Sequence, residues 1–584
     1  MQALPDGKER GQDLNARCPS LHIQPLVLTI ACAIQIVRIF HGIDFNDEMQ
    51  YYGEIISLVN SGRLFSTDLF LQQTVYLLLY PVLKPMITLW GTENLIVVSR
   101  MLFAAYILWI YGRVRRRLVD ADVGATAAAV SALALTLAVP MYNIYAFSYN
   151  TVALGVAAVC FAELFVWRRN GRAPSVVFWT VAGAVLLLVY PPLALGVGLV
   201  VMARLLIERD YRSLGRIAFL GCGAGLGIAW GVLQFTTIDD YIEAVAFTRA
   251  IGVGTAIFQA GLPVLVLLWC VLVAGIALDR LPIVGRAPVL GSRAAVLVSI
   301  LVAVVSLFAT RQAAIKEVWL ATVVMALTGF VLTFCVASDE DRRTRTWLTV
   351  MFIAIGSVMV FTSGNGLKQI QGAAMLAAPF YFALASRGTK VITVPATSRV
   401  PGITAFGSGI VAVFVTLYIA NPYQDEGVWR QHESADGVPA MRYIRITKAK
   451  AEAIALMRRT LSDIAPNSRV MIIGAHPWIY FATDTQPDTD MIFMHFTGGA
   501  LAYRMLATRL AARQPEYLIL AGPATAEVLA AAKGIADAGS YQCTQRPTDS
   551  LLLDAALNIR TYYNVLPALI VCHSGRKARA VERE

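Results

Sequence analysis

Four carboxylates lie within eleven residues directly after the first long apolar stretch of the chain. They are Asp44, Asp47, Glu48 and Glu54. Acids placed where an apolar stretch ends are costly and usually functional. Crowded carboxylates raise one another's pKa, which suits a general base, or they share a divalent metal ion. The alternative is a solvated loop in which Asn46 or Asp47 caps a helix over 48–60. We favour the catalytic interpretation for Asp44, Asp47 and Glu48, and leave the metal ion open.

Several other polar residues are candidates for binding a substrate. A helix that starts near Asp47 brings Tyr51 beside Glu48, on adjoining faces. Asn150 ends a short polar segment, where it either orients a substrate hydroxyl or caps a helix that begins at Thr151. Three basic residues stand in segments with few other cations, and binding a phosphate group is their expected task. They are Arg249, Lys316 and Lys368. The alternative for each is contact with lipid headgroups or pairing with a nearby acid.

The composition indicates a polytopic membrane protein. Of the 584 residues 57% are hydrophobic and only 15% are charged, and the mean hydropathy is +0.61. A soluble protein cannot hide that much apolar surface. The net charge of +11 does not indicate nucleic-acid binding, because most Lys and Arg stand in short clusters between apolar segments, as the positive-inside rule predicts.

Thirteen apolar segments are candidates for membrane-spanning helices, several of them shorter than the roughly 20 residues of a perpendicular span. They lie near 23–40, 95–112, 123–140, 151–167, 175–189, 192–207, 217–235, 257–278, 294–310, 318–337, 347–363, 372–386 and 401–420. With this count, basic clusters such as Arg113–Arg117 and Arg342–Arg345 fall in alternate loops, which we assign to the inner side. An N-terminus on that side puts the C-terminus outside.

The apolar segment Leu71–Trp90 must be left out for this count to hold. Counting it as a span would place Arg113–Arg117 outside, against the trend. It contains Pro81 and Pro85, so a juxtamembrane or re-entrant element fits better than a continuous span. Residues 41–94 then form one large outer loop that carries the acids.

Residues 421–584 are predicted to form a small α/β domain on the outer face, because their composition is mixed and their apolar runs are short. The expected buried strands are Arg469–Gly474, Met491–Phe496 and Tyr517–Ala521; the expected helices are Met441–Ile464, Ala500–Ala512 and Ala524–Ala538. The sequence leaves open whether Cys543 and Cys572 form a disulfide, since spacing does not fix geometry.

The order of these features resembles the GT-C superfamily of polyprenyl-phosphate-sugar-dependent glycosyltransferases, in the branch with the aminoarabinose transferases of lipid A and the protein O-mannosyltransferases. The motif that carries the resemblance is Asp47-Glu48-Met49-Gln50-Tyr51-Tyr52, followed by a juxtamembrane segment and a span that opens on Arg100. The resemblance implies about thirteen spans with a periplasmic α/β domain, and a catalytic carboxylate at Asp47, with Glu48 beside it and Asp44 near enough to compete. In many relatives a second acid lies in the next outer loop, where this chain has Ser148-Tyr149-Asn150.

The predicted function is transfer of a sugar from a polyprenyl-phosphate carrier to a lipid, glycan or protein acceptor, by a multi-pass protein of the bacterial inner membrane. Asp47 acts as base in this hypothesis, and Arg249, Lys316 or Lys368 neutralises the departing lipid phosphate. The alternatives are a polysaccharide polymerase or ligase, a transporter of envelope glycans, and an inactive scaffold. A transporter would place charges in the middle of broken spans, where this sequence has few, Glu163 among them.

Overall fold

A computed structural model gives the structure of most of the chain. The residues outside the described part are 1–19, 141–143, 168–174, 253–264, 267, 275, 277–310, 336–338, 363–368, 389–399, 416–424, 436, 493–499, 523–525, 540, 550–551, 554–567 and 575–584.

Helices dominate the chain up to residue 415. They are α1 (Ser20–Phe40), α2 (Asp47–Ser61), α3 (Tyr80–Trp90), α4 (Leu95–Asp120), α5 (Ala125–Ala138), α6 (Tyr149–Phe165), α7 (Val176–Val189), α8 (Pro191–Ile207), α9 (Tyr211–Leu233), α10 (Ile238–Gly252), α11 (Arg311–Leu332), α12 (Asp339–Thr362), α13 (Ile370–Gly388) and α14 (Val400–Val415). Three of the described helices, α4, α9 and α12, are long and apolar enough to cross a membrane. Several shorter apolar helices accompany them.

The described helices occupy the predicted spans closely. Helices α1 and α4 to α9 match the first seven predicted spans after the omission of Leu71–Trp90, and α11 to α14 match the last four. The predicted span 294–310 and most of 257–278 lie outside the described residues.

Helix α4 shows which ends of the helices lie together. Arg100 near its start contacts Glu48 of the acid-rich segment. Arg113 and Arg117 near its end contact Glu163 in the last turn of α6, at 2.7 and 2.8 Å. Thirteen to seventeen helical residues separate these two levels, which is about 20–26 Å. The acid-rich segment and the Arg113–Arg117 cluster therefore lie at opposite ends of the helices. Glu163 belongs to the basic end and is not a charge in the middle of the bundle.

Leu71–Trp90 forms a short broken element, as predicted. A 3₁₀-helix covers Leu71–Leu78, and α3 follows with Pro81 in its first turn and Pro85 inside. Eleven residues of α3 reach about 16 Å, which is too short to cross a bilayer. Its exposed side chains include the apolar Leu89 and Trp90, 73% and 68% exposed, beside Lys84 and Thr88. An aromatic, apolar exposed face is typical of an element that lies at the membrane surface.

The C-terminal region forms a small α/β domain. Its strands are β1 (Gln431–Ser434), β2 (Arg445–Thr447), β3 (Arg469–Ile473), β4 (Gln486–Pro487), β5 (Tyr517–Leu520), β6 (Tyr541–Pro547) and β7 (Ala568–Ser574); its helices are α15 (Lys448–Thr460), α16 (Trp478–Thr483), α17 (Ala500–Ala511) and α18 (Ala526–Ala538). Strands β1 and β2 pair antiparallel. The larger sheet has the order β4-β3-β5-β7-β6, parallel from β4 to β5 and antiparallel from β5 to β6.

The central strand β3 is an apolar run that is buried on both faces of the sheet. Residues Val470–Ile473 of β3 are fully buried, which is typical of a central parallel strand. Cys543 of β6 and Cys572 of β7 are register partners and form a disulfide. The structure thus answers the question that the sequence left open.

Two local predictions in this region need correction. The predicted strand from Met491 onward is wrong at its start, because Met491 makes only an isolated bridge with Asp68; 493–496 lie outside the described residues. The helix predicted to begin at Met441 begins at Lys448, since 445–447 pair with β1. The predicted strands β3 and β5 and the helices α17 and α18 are confirmed to within two residues.

Candidate functional site

The acid-rich segment includes the N-terminus of helix α2, and the Asp44 side chain caps this N-terminus. The Asp44 carboxylate accepts hydrogen bonds from the backbone N–H groups of Asn46, Asp47 and Glu48 at 3.1, 2.7 and 3.2 Å. The Glu48 carboxylate accepts in return from the Asp44 N–H at 3.1 Å. Asn46, which precedes the helix, makes no side-chain cap. Asp44 therefore satisfies the free N–H groups of the first turn, while its burial and the neighbouring charge of Asp47 raise the pKa of its carboxyl well above the ordinary value.

Glu48 is held by a buried ion pair with Arg100. The guanidinium donates from Nη2 and Nε to Glu48 Oε1 at 2.7 and 3.0 Å, and both side chains are almost fully buried. Arg100 also donates to the backbone carbonyls of Arg38, Ile39 and Gly42. It thereby joins the end of α1, the acid-rich segment and the start of α4. A carboxylate held in this way fixes the position of the segments around it.

The C-terminal domain holds the same segment from the other side. Asp425 accepts a hydrogen bond from the Ile43 N–H at 2.9 Å and pairs with buried Lys450 at 3.0 Å. Lys450 Nζ donates to the Ile43 carbonyl and lies 5.1 Å from the ring centre of Phe45. Phe45 stacks on buried Trp478, with ring centres 4.9 Å apart. The loop before Asp47 is therefore fixed by residues more than 380 positions away in the sequence.

Asp47 is the carboxylate of the cluster that solvent or a substrate reaches. It is half-buried, whereas Asp44 is only 4% exposed and Glu48 and Glu54 only 1%. Its backbone is fixed by Asp44. An acid whose position is fixed while its side chain stays accessible has the arrangement that a general base requires.

Tyr51 lies one helical turn after Asp47 and is buried. Burial raises the pKa of its hydroxyl well above the ordinary value, and the negative charge of Asp47 raises it further. Tyr149, from the start of α6, is close enough to contribute as well. Tyr51 therefore remains protonated and can donate a hydrogen bond beside Asp47.

The segment 148–150 lies near this site, but the capping residue is not the predicted one. Ser148 caps α6 through a reciprocal pair of hydrogen bonds with Thr151. The helix begins at Tyr149, so Asn150 is inside its first turn and half-buried. The capping alternative for Asn150 is therefore wrong, and its substrate-binding role stays a prediction.

Of the three predicted basic residues, the structure describes the side chain of Arg249 alone. Arg249 is exposed in α10, next to Thr248, which accepts a hydrogen bond from the Leu71 N–H at 2.9 Å. Lys316 belongs to α11, in a part where the structure describes the backbone alone, and Lys368 lies outside the described residues. In the described part, no three or more His, Cys, Asp or Glu side chains are grouped to hold a metal ion.

Sequence reasoning singled out Glu54 but missed Asp68, the acid in the loop after α2 that lies beside it. Gln50 Nε2 donates to Glu54 Oε1 at 2.7 Å and to Asp68 Oδ2 at 2.9 Å. Both carboxyls are buried, 1% and 0% exposed. Burial raises the pKa of Glu54 to about 7, and burial together with the charge of Glu54 raises the pKa of Asp68 well above its ordinary value. The pair therefore retains a proton near neutral pH.

This pair predicts that the stability of the protein falls as the pH rises. The pKa of Glu54 is about 7 in the folded chain, against an ordinary value of 4.5. Protonated Glu54 therefore contributes fully to the free energy of unfolding below pH 4.5, and this contribution is lost as the pH rises through 7. The expected slope is about 1.4 kcal/mol per pH unit for one proton. Thermal unfolding of the detergent-solubilised protein between about pH 5 and 8 measures it.

Glu54→Gln should reduce this pH dependence, because the amide carries no proton to lose, while buried Asp68 still titrates. Glu433→Gln, an exposed position on β1, is the matched control and should keep the wild-type slope. An unchanged slope in Glu54→Gln would contradict the assignment.

Two crystal structures of ArnT from Cupriavidus metallidurans are similar to this chain. The structure bound to undecaprenyl phosphate has 14% identity and a TM-score of 0.43, covering 95% of this chain and 98% of that one. The apo structure has 13% identity and a TM-score of 0.39, covering 94% and 97%. No family model matches the sequence, and no curated protein matches it. At these TM-scores the likeness does not assign a function. The function proposed below rests on the residues of the site.

Proposed function

We propose that the protein is an integral membrane glycosyltransferase. It takes a sugar, a hexose or a pentose, from a polyprenyl-phosphate carrier and transfers it to a hydroxyl or phosphate of a lipid, polysaccharide or protein. The single observation that carries the proposal concerns the exposure of Asp47. It is the one accessible member of an otherwise buried acid cluster, at the end of α4 opposite the arginine cluster.

Asp47 acts as the base on the acceptor in this proposal. It takes the proton of the acceptor hydroxyl as that oxygen bonds to the anomeric carbon, and the bond from that carbon to the carrier phosphate breaks. Asp44 and Glu48 position Asp47 through the backbone of the first turn and through Arg100. Tyr51 donates a hydrogen bond to the acceptor, and Asn150 orients a substrate hydroxyl. Arg249, Lys316 or Lys368 stabilises the departing phosphate.

The surface element before α4 supports a donor that arrives through the membrane. Helix α3 exposes Leu89 and Trp90, and its neighbour Leu71–Leu78 contacts both α6 and α7. A carrier with a lipid tail presents its phosphate at the level of such an element. A donor of this kind reaches the acid-rich segment without leaving the membrane surface.

The topology is part of the same proposal. Residues 1–420 form a transmembrane domain of about thirteen spans with the large outer loop 41–94. Residues 421–584 form a periplasmic α/β domain, and the protein is a multi-pass protein of the inner membrane. The contacts of that domain with Ile43 and Phe45 support placing it on the same side as Asp47. The disulfide Cys543–Cys572 suits an oxidising compartment.

Mass spectrometry of envelope lipids and glycans from a deletion strain tests the function. We expect one species to lack a sugar, and the wild-type gene to restore it. An unchanged set of glycans and lipids, with the protein produced in the parent strain, would reject a transferase. Flux of labelled envelope glycan across liposomes without sugar transfer would instead favour a transporter.

A further inference from the structure

A cleft of about 370 Å³ separates helix α2 from the C-terminal domain. Its walls include Gly53, Ser57 and Asn60 of α2 on one side and Asn467 and Gln486 on the other. This volume is at the lower end of the roughly 300–1,000 Å³ found for ligand sites. The cleft is therefore large enough for a small ligand or for one segment of a longer one.

The cleft is distinct from the site around Asp47. On a helix, Asp47 and Tyr51 share one face, because they are four residues apart. At about 100° per residue, Ser57 is turned away from the middle of that face by about 100° and Asn60 by about 160°. Ten to thirteen residues also separate them from Asp47 along the axis, which is about 15–20 Å.

The lining of the cleft has the chemistry of a neutral polar ligand. Ten of its nineteen described lining residues carry a hydroxyl or an amide, among them Ser57, Asn60, Asn467 and Gln486, and these lining residues include neither Lys nor Arg. Hydroxyls and amides both donate and accept hydrogen bonds, as the hydroxyls of a sugar do. Asp484 adds a carboxylate to the lining, which accepts from hydroxyls and repels anions. Phosphates and carboxylates are recognised by cations, so an anionic ligand is disfavoured here.

Two further features of the lining fit a saccharide. Phe481 and Ile492 supply apolar surface on the domain side, which suits the C–H face of a sugar ring. Thr67 also lines the cleft and is 8% exposed. Its Oγ1 has no hydrogen-bond partner among the described residues, although a buried hydroxyl normally has one. The cleft therefore borders a polar group whose hydrogen bonding the fold leaves unmet.

We propose that this cleft binds a neutral segment of a saccharide acceptor whose reacting end lies at Asp47. The inference rests on the proposed glycosyltransferase function and narrows its acceptor to a glycan of several rings. A single ring does not reach from Ser57 to Asp47, but an extended oligosaccharide does. Binding along the cleft then selects long acceptors over short ones, while the chemistry takes place at the other end of α2.

Direct binding by the full-length protein in lipid nanodiscs tests the cleft. The probes are neutral oligosaccharides of increasing length and their sulfated counterparts, first on a printed array and then in calorimetric titration of the best neutral ligand. We expect the neutral compounds to bind and affinity to rise with length. Failure of every neutral oligosaccharide to bind, or preference for the sulfated compounds, would overturn the proposal.

Three variants locate the binding. Asn60→Ala removes an exposed amide from the last turn of α2, and Asn467→Gly removes another while keeping the positive φ of 63° at that position. Each should weaken binding by about five-fold or more, the effect of one hydrogen bond. Gln542→Ala removes an exposed amide from β6 and is the matched control, expected to bind as the wild type does. Equal affinity in all four proteins would place the ligand elsewhere.

Asp47→Asn separates this proposal from the proposed function. It should abolish sugar transfer and leave oligosaccharide affinity unchanged, because the cleft lies on the other face of α2. Transfer that persists in Asp47→Asn while Asn60→Ala weakens binding would reject the catalytic assignment and retain the cleft. Transfer lost in Asp47→Asn with full affinity in both cleft variants would do the reverse.

Discussion

Replacing Asp47 by Asn is expected to lower sugar transfer by about 10²–10⁴-fold, the usual contribution of a general base. The fold should be unaffected, because the Asp47 N–H that donates to Asp44 is part of the backbone and the side chain is half-buried. Transfer is measured as the sugar restored to the envelope glycans of a deletion strain, at matched levels of protein in the membrane.

Two further substitutions serve as controls for Asp47→Asn. Asp239→Asn changes an exposed carboxylate at the start of α10 and should leave transfer at the wild-type level. Asp47→Glu keeps a base in place but displaces it by one methylene, so partial activity is expected. Full transfer by well-expressed Asp47→Asn would exclude Asp47 as the base.

Breaking the buried ion pair between Glu48 and Arg100 is expected to destabilise the protein by about 3–5 kcal/mol. Arg100→Met leaves the Glu48 carboxylate buried without its cation, and it also removes the donor to three backbone carbonyls. The loss is measured as the lower temperature at which the detergent-solubilised protein unfolds or aggregates. Sugar transfer should fall too, since Glu48 helps to hold the first turn of α2.

A double variant and a surface pair complete this experiment. Glu48→Met with Arg100→Met should lose less stability than the sum of the two single changes, because no uncompensated charge is left buried. Arg442→Met breaks the ion pair with Glu93 at 3.3 Å, in which both side chains are more than half exposed, and should cost at most about 1 kcal/mol. Equal losses for Arg100→Met and Arg442→Met would contradict a structural role for the buried pair.

The parts of the site that the sequence predicted are local in the chain. The acid cluster, the helix that begins at Asp47 and the broken segment Leu71–Trp90 all lie within 50 residues, and their signals are apolar periodicity, prolines and the spacing of charges. The residues that hold the cluster were not predictable in this way. Lys450 contacts Ile43 across 407 positions and Asp425 contacts it across 382. Neither has a neighbour in sequence that distinguishes it from an ordinary surface charge.

Asp68 and the last two strands were missed for related reasons. Asp68 is a single acid in an irregular segment, and only the fold brings it to Gln50 and Glu54. Strand β6 is exposed along most of its length, so it lacks the continuous apolar run by which β3 and β5 were recognised. Its pairing with β7 is a non-local contact that no short-range pattern encodes.

The hydrogen bonds that join Asp425 and Lys450 to Ile43 have a consequence for biogenesis. The ribosome releases the acid-rich segment long before it translates Asp425 and Lys450. The segment therefore lacks these contacts through most of the synthesis of the chain. With the proposed function and topology, the site is complete only after the C-terminal domain has been translocated and folded, and half-made chains do not consume the proposed carrier. Chains stopped before residue 425 should insert into the membrane yet remain inert, and supplying 421–584 as a separate secreted polypeptide is the natural route to complement them.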